Sequence, residues 1–381
     1  MSKLVISSIG PASSVQDGGR PGSQRYGLVP SGAVDRLALA AANTLVGNEL
    51  FTAGVEIGPF GAAFTACGGA ARIALAGSPR NADIAGRPVA IDTSATIADG
   101  ETLTLGFARG GSFTYLAIEG GIAGEPMFGS LAVNARAGLG SPYSRPLQSG
   151  DELQTARASG AAEQRIELPA SADAPIRVVW GPQDDEFAEN SKKLFVETVW
   201  KISATSDRMG YRLEGPVIKH LHGHNIVSDG TVNGSVQVPG NGQPIVLMPD
   251  RGTTGGYPKI ATVISADFGR FVQIPAGRAF RFKAVSMAEA QAAARQFAGL
   301  LRTLPDRLRG IESFDLNIEA LQDANVAGHA VSAVDATTWQ VASPAEIAGP
   351  EILSHEAGQH HDNHRPQLRS RRRIWRMGNG Q

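Results

Sequence analysis

The sequence holds a single cysteine, Cys67, in 381 residues, which excludes an intramolecular disulfide framework and fits a reducing compartment. Its neighbours, Phe64-Thr65-Ala66 and Gly68-Gly69, bring no histidine or cation that would activate a thiol, so Cys67 reads as a small buried residue. Charged residues make up only 19% of the chain and the formal net charge is -1, which leaves no electrostatic case for binding nucleic acid or a membrane surface. No apolar run approaches the roughly 18 residues of a membrane span. Met1-Ser2-Lys3 leads straight into a strand-like Leu4-Val5-Ile6 instead of a signal peptide, so a soluble, cytoplasmic protein is expected. Also missing are the phosphate loop G-x-x-x-x-G-K-[ST], the dinucleotide fingerprint G-x-G-x-x-G, the zinc motif H-E-x-x-H and the nucleophile elbow G-x-S-x-G. If the protein uses ATP, the standard cradle is not in this chain.

What is abundant is punctuation: 46 glycines and 22 prolines imply frequent turns and short strands. One stretch concentrates chemistry. Asp250-Arg251-Gly252-Thr253-Thr254-Gly255-Gly256-Tyr257-Pro258-Lys259 lies between the apolar runs Ile245-Val246-Leu247-Met248 and Ile260-Ala261-Thr262-Val263-Ile264, which read as strands. Gly255-Gly256 permits close approach of backbone to a ligand, and Thr253, Thr254, Tyr257 and Lys259 supply donors for an oxyanion, carboxylate or phosphate. The competing reading is an unusually polar hairpin.

Along the chain the texture is strand and turn, broken by a few helices. Ser31 is a plausible N-cap with Asp35 in the first turn, and Leu37, Ala41 and Leu45 mark one face of a helix that Gly47 ends. Strand-like runs follow at Ile73 to Ala76, Leu103 to Leu105 and Tyr115 to Ile118. Asp99-Gly100-Glu101, Gly150-Asp151-Glu152 and Ala276-Gly277-Arg278 repeat one device, a turn glycine followed by an alternating strand. Residues 156–175 lack periodicity and read as a linker between a first domain, 1–155, and a second, 176–303. The second opens at Ile176-Arg177-Val178-Val179-Trp180, allows a short helix between Phe187 and Val199, and closes with a helix from Met287 to Arg302 behind a Ser286/Glu289 capping box. Residues 304–381 read as an irregular extension ending in a basic tail. Ser14 to Arg20 weakly echoes Ser206 to Arg212, which suggests an internal duplication.

Three charged clusters converge if the two halves pack together: Gln16, Asp17 and Arg20; Asp207, Arg208 and Arg212; and Asp250, Arg251 and Lys259. Asp17 with Arg20 reads as an ion pair tying down a loop, whereas the guanidinium of Arg208 and the ammonium of Lys259 suit a carboxylate. Tyr257 either donates to a developing oxyanion or stacks in the loop. His220, His222 and His224 alternate, so in a strand they share one face, with Asp229 near in sequence; an exposed edge strand is preferred to a metal site, and no metal is assigned.

The motifs together resemble one family. Gln16-Asp17-Gly18-Gly19-Arg20-Pro21-Gly22, Ser31 to Arg36 with Ala42 to Asn48, Ser206 to Gly215, Gln237-Val238-Pro239 with Gly242-Gln243-Pro244-Ile245, and Asp250 to Lys259 are similar, in order and over about residues 3 to 300, to the biotin-dependent carboxyltransferase family. That family includes the C-type subunit of 5-oxoprolinase, the so-called allophanate hydrolase subunit 2, and part of the carboxyltransferase domain of urea carboxylase. The resemblance implies a mainly β fold of two tandem cyclophilin-like β-barrel domains with a few short helices. It implies a smaller partner of the B type, a third component of the A type, a small-molecule substrate, and ATP used through the complex. The activity implied is the ATP-dependent opening of 5-oxoproline to L-glutamate. Asp207, Arg208, Asp250, Arg251, Tyr257 and Lys259 are then expected at the reacting centre, and Gln16, Asp17, Arg20, Arg212, Gln237, Thr253, Thr254, Gly255 and Gly256 around the substrate.

Two alternatives stay open: the carboxyltransferase half of a urea-type carboxylase, with biotin on a partner, and a non-catalytic regulator that binds a kinase inhibitor. Some positions depart from the family pattern. Gly129-Ser130-Leu131-Ala132-Val133 stands where members carry Gly-Ser-Arg-Ser-Thr, Gly140-Ser141 for Gly-Gly, and Gly77-Ser78-Pro79 for Gly-Ala-Asp. The lost arginine removes a partner for a substrate carboxylate.

Overall fold

The computed structural model describes residues 2–170 and 173–311. The expected basic tail lies outside them. The fold is mainly β, and the strand texture read from the sequence is what forms. Ser2–Ile9 alternates buried and open positions through Val5, and it pairs antiparallel with both Glu152–Thr155 and Ala62–Cys67. These begin a six-stranded sheet that continues through Thr102–Leu105, Ala82–Ile84 and Arg87–Pro88. A seven-stranded sheet runs in the order Ser14–Gln16, Gly54–Ile57, Thr114–Ile118, Ala71–Gly77, Thr93–Ile97, Gln164–Ile166 and Leu308–Gly310. The stretch read as a linker thus contains one strand, and the start of the C-terminal extension supplies another.

The second half forms one eight-stranded sheet, from Ala279–Phe280 through Trp200–Ile202, Gly210–Glu214, Ile245–Leu247, Ser235–Gln237, Lys259–Val263 and Ile176–Trp180 to Phe282–Ala284. Its two edges, Ala279–Phe280 and Phe282–Ala284, are separated in sequence only by Arg281, so the sheet curls into a nearly closed barrel. The turn glycines at 100, 150 and 277 all have left-handed φ, 83°, 88° and 79°, and each precedes a strand.

Four α-helices occur among the described residues: α1 (Arg36–Leu45), α2 (Glu189–Glu197), α3 (Ser265–Val272) and α4 (Met287–Arg302). The capping box of α4 forms as expected. The start of α1 differs. Asp35, not Ser31, is the N-cap, and its carboxylate accepts from Leu37 N and Ala38 N at 3.2 Å each. Ser31 and Gly32 instead take left-handed φ values of 52° and 85° and turn the chain toward the second half.

One core, including Leu4, Ile6, Phe64, Ile73 and Leu103, lies between the first two sheets. The other is continuous across the halves: α1 and Tyr115 belong to the same buried cluster as Val178 and Trp200 of the barrel, Phe195 of α2 and Phe271 of α3. At about 1.5–3 kcal/mol for each large side chain, this shared core holds the halves in fixed register. Cys67 is a free thiol and only half-buried, at the end of its strand beside Lys3. No helix among the described residues is long and apolar enough to cross a membrane.

Candidate functional site

The site is built where the loop that begins at Asp250 returns to the sheet. Lys259 opens the Lys259–Val263 strand, and its pairing with Ser235–Gln237 carries a register shift: Val236 faces Ala261, but Gln237 faces Lys259. This bulge makes Gln237 and Lys259 a directly opposed pair, so both side chains leave the sheet on one face. Both are buried, Gln237 at 7% exposure and Lys259 at 1%. The Lys259 ammonium lies 3.1 Å from Asp229, its one carboxylate partner among the described residues, and makes no further hydrogen bond with them. An ammonium carries three donors, so this one has capacity for an incoming oxygen. Asp229 is half-exposed, and its pKa is held below the usual carboxylate range by Lys259 first, then by Gln183 and the Gly230 N–H.

A short ribbon brings Asp229 there. Asp229–Gly230 pairs with Thr254–Gly255, placing Asp229 opposite Gly255 and Gly230 opposite Thr254. Gln183 braces both ends, donating to Asp229 at 3.1 Å and accepting from Lys259 N at 3.2 Å. A Cβ on Gly255 would sit 2.3 Å from the Gln237 amide nitrogen, so the glycine makes room for that amide, which donates to Tyr257 O at 3.3 Å. Tyr257 is 40% exposed, Gly256 is half-buried and Thr254 is exposed.

The expected arginines are engaged differently. Arg208 donates to Glu56 and to Gly32 O at 2.8 Å, both in the first half, and to Asp250 at 2.9 and 3.3 Å. Burial lowers its pKa, but Glu56 and Asp250 outweigh this and raise it above the usual arginine value, so it stays charged. Glu56 is fully buried and also accepts from Tyr115 OH at 2.6 Å and Val34 N at 2.9 Å. Arg251 donates to Asn233, to Thr231 Oγ1 and O at 3.1 Å each, and to Gln24 at 3.2 Å; burial lowers its pKa to about 10. Gln24 in turn donates to Thr231 O at 2.8 Å and Thr253 O at 3.3 Å, so Thr253 serves the loop through its backbone. Both guanidiniums therefore bind protein groups on all their nitrogens and fix the loop and the first half around it.

The first cluster forms a separate constellation. Asp17 is not ion-paired with Arg20. Its carboxylate accepts from Gly19 N, Ser130 Oγ and Leu131 N, each at 2.7 Å, because the loop offers it three donors at close range. Arg20 donates to Ala132 O and to Met127 O at 3.4 Å, leaving Nη1 buried without a hydrogen bond, and burial lowers its pKa against the charges of Asp17 and Asp250. Gln16 binds Ser14 and Val133 O through its amide nitrogen. Asp207 is exposed and closes a turn through Met209 N and Gly210 N at 2.8 and 3.2 Å. Arg212 is exposed between buried Tyr211 and Leu213 and lines a surface pocket with Glu214 and Gln243.

His220, His222 and His224 lie in an irregular loop, not a strand, so the shared face does not form. His220 Nε2 lies 2.9 Å from Val238 O, and exposed His222 lies 3.4 Å from Glu186. No group of three or more His, Cys, Asp or Glu among the described residues could hold a metal. Gln183 and Glu56 were not singled out from the sequence. A lone acid in the apolar Gly54–Ile57 strand was a signal for Glu56, whereas Gln183 left none.

Comparison with known proteins agrees with the resemblance. The family model of the carboxyltransferase domain, subdomain A and B, matches residues 26–284. The chain is similar to the C-type subunit of 5-oxoprolinase from Escherichia coli, 37% identical over 75% of this chain and 93% of that protein. It is likewise similar to the corresponding 5-oxoprolinase subunit of Haemophilus influenzae, 34% identical over 72% and 89%. Among solved structures, Kluyveromyces lactis urea carboxylase superposes with a TM-score of 0.74 at 26% identity, covering 79% of this chain and 29% of that one.

Proposed function

The chain belongs to the carboxyltransferase subdomain A and B family, and from that premise we propose that it is the C-type subunit of a 5-oxoprolinase, a cytoplasmic complex that opens 5-oxoproline to L-glutamate with ATP. The similarity to the Escherichia coli and Haemophilus influenzae subunits over most of their length supports this assignment. The observation that carries it is the buried Lys259 ammonium, opposed to Gln237 and held by a single carboxylate.

Opening the lactam breaks its C–N bond as water adds to the carbonyl carbon, through a tetrahedral oxyanion. In this reading Lys259 holds that oxygen, a buried donor being worth far more there than in water. The Gln237 amide orients the ring, and Asp229 and Gln183 aim the ammonium. Arg208, Asp250 and Arg251 are positioning residues that fix the loop against the first half. ATP is assigned to a partner in the complex, as the family resemblance implies, and no step is routed through it here.

The test is glutamate release from 5-oxoproline and ATP by this chain reconstituted with its partner subunits, wild type against Lys259→Met. Release that falls at least about a hundredfold in the variant, with the complex intact, is expected. Unchanged release would remove Lys259 from the chemistry. Failure of the wild-type complex to release glutamate would sink the oxoprolinase reading. The urea carboxylase superposition favours carboxyl transfer from a biotin-bearing partner as the second reading.

A further inference from the structure

Between the first-half sheet and helices α3 and α4 lies a cleft of about 600 Å³, separate from the Lys259 cluster. Its lining includes Asp35, Asp92, Ser78 and Gln273, with Leu168 and Phe297 on the apolar side. Asp35 is partly satisfied, as the cap of α1 and as acceptor from Gln273 at 2.9 Å. Asp92 accepts from the Gly77 N–H, but its Oδ1 is buried without a hydrogen-bond partner, and its backbone holds a left-handed φ of 64°, a conformation that costs free energy in a residue with a Cβ. The Ser78 hydroxyl, in a residue 3% exposed, also lacks a partner, and a Cβ on Gly111 would lie 2.6 Å from it. Two unmet buried polar atoms in one cleft mark a place where a ligand supplies what the protein does not.

We propose that this cleft binds an organic ammonium ion, its N–H groups donating to Asp92, Asp35 and Ser78 and its hydrocarbon part lying against Leu168 and Phe297. A cation answers both carboxylates at once, which no neutral ligand does. The apolar wall favours an alkylammonium over a bare inorganic cation. Burial raises the pKa of Asp35, and it raises that of Asp92 to about 6, with the Asp35 charge adding to the effect. Arg270 also borders the cleft, but it is ion-paired with Asp267 at 3.4 Å and donates to Ala174 O at 2.6 Å.

The experiment is isothermal titration calorimetry of the full chain with n-butylammonium chloride, with 1-butanol and ammonium chloride as comparison ligands. Butylammonium is expected to bind one to one, at least about tenfold more tightly than either comparison ligand, since the charge-assisted hydrogen bonds and the apolar contact both count. Asp92→Asn, which tolerates a left-handed backbone, should weaken binding at least about tenfold and Ser78→Ala several-fold, while Lys259→Met leaves it unchanged. At pH 6 binding should release protons as Asp92 ionises, and at pH 8 release should vanish. Should Asp92→Asn fail to fold, Ser78→Ala and the proton release carry the comparison. No binding, equal binding of butanol, or binding indifferent to Asp92→Asn overturns the site; ammonium binding as tightly as butylammonium overturns its organic specificity.

Discussion

Arg208 of the barrel donates to Glu56 of the first half across 152 positions of sequence, and Asp250 grips the other edge of the same guanidinium. Glu56 is fully buried; Val34 N and Tyr115 OH donate to it from within the first half, and the positive charge that faces it comes from the second. The polar loop and the first half are thereby fixed to each other by an ion pair inside a shared core.

Removing the guanidinium strands that carboxylate. Arg208→Met should therefore destabilise the chain by about 3–5 kcal/mol, the usual result of breaking a buried pair from one side, and the urea unfolding midpoint measures it. Glu56→Gln combined with Arg208→Met should recover part of the loss. A double variant no more stable than the single one would mean the pair is not what couples the halves.

Lys259→Met, by contrast, keeps the aliphatic stem and leaves behind only half-exposed Asp229. Thermal stability should change by no more than about 1 kcal/mol while turnover falls, and calorimetry set beside the activity assay separates the two. A large loss of stability would place Lys259 among the structural groups.

Gly255→Ala should push the Gln237 amide from its place, since the new Cβ meets it at 2.3 Å. The chain should stay folded, with a melting temperature near wild type, and lose about ten- to a hundredfold in kcat/KM, because displacement by about 1 Å is costly in catalysis. Full activity would remove Gln237 from the site.

The pH dependence of stability should carry the mark of Asp92. Its folded-state pKa of about 6 lies above the ordinary 3.8, so the native state binds this proton more tightly than the unfolded chain. The contribution is greatest below pH 4, is lost as pH rises through 6, and stays lost above it. Asp92→Asn removes the cost of ionisation and should stabilise the protein by about 1–3 kcal/mol at pH 8, an advantage that closes toward pH 4. Melting temperatures of both proteins across that range check this, and a pH-independent difference would contradict it.

The sequence by itself determined whatever depends on a few neighbouring residues. Ser286 and Glu289 cap α4 because both groups lie within one turn, and Gly100, Gly150 and Gly277 turn the chain because only glycine takes those φ values freely. The loop from Asp250 to Lys259 was legible for the same reason, its composition being wrong for a plain hairpin. Tertiary structure decided the rest. Ser31 and Asp35 are both good caps, and Asp35 won because the chain at Ser31 and Gly32 turns to meet Arg208. The bulge at Gln237 was invisible, since a shift of one residue reverses which face a side chain occupies without changing the hydrophobic pattern enough to announce it. Arg208 with Glu56 and Lys259 with Asp229 and Gln183 are partners that only the folded sheets bring within reach, and burial, a property of the whole molecule, gives those pairings their strength.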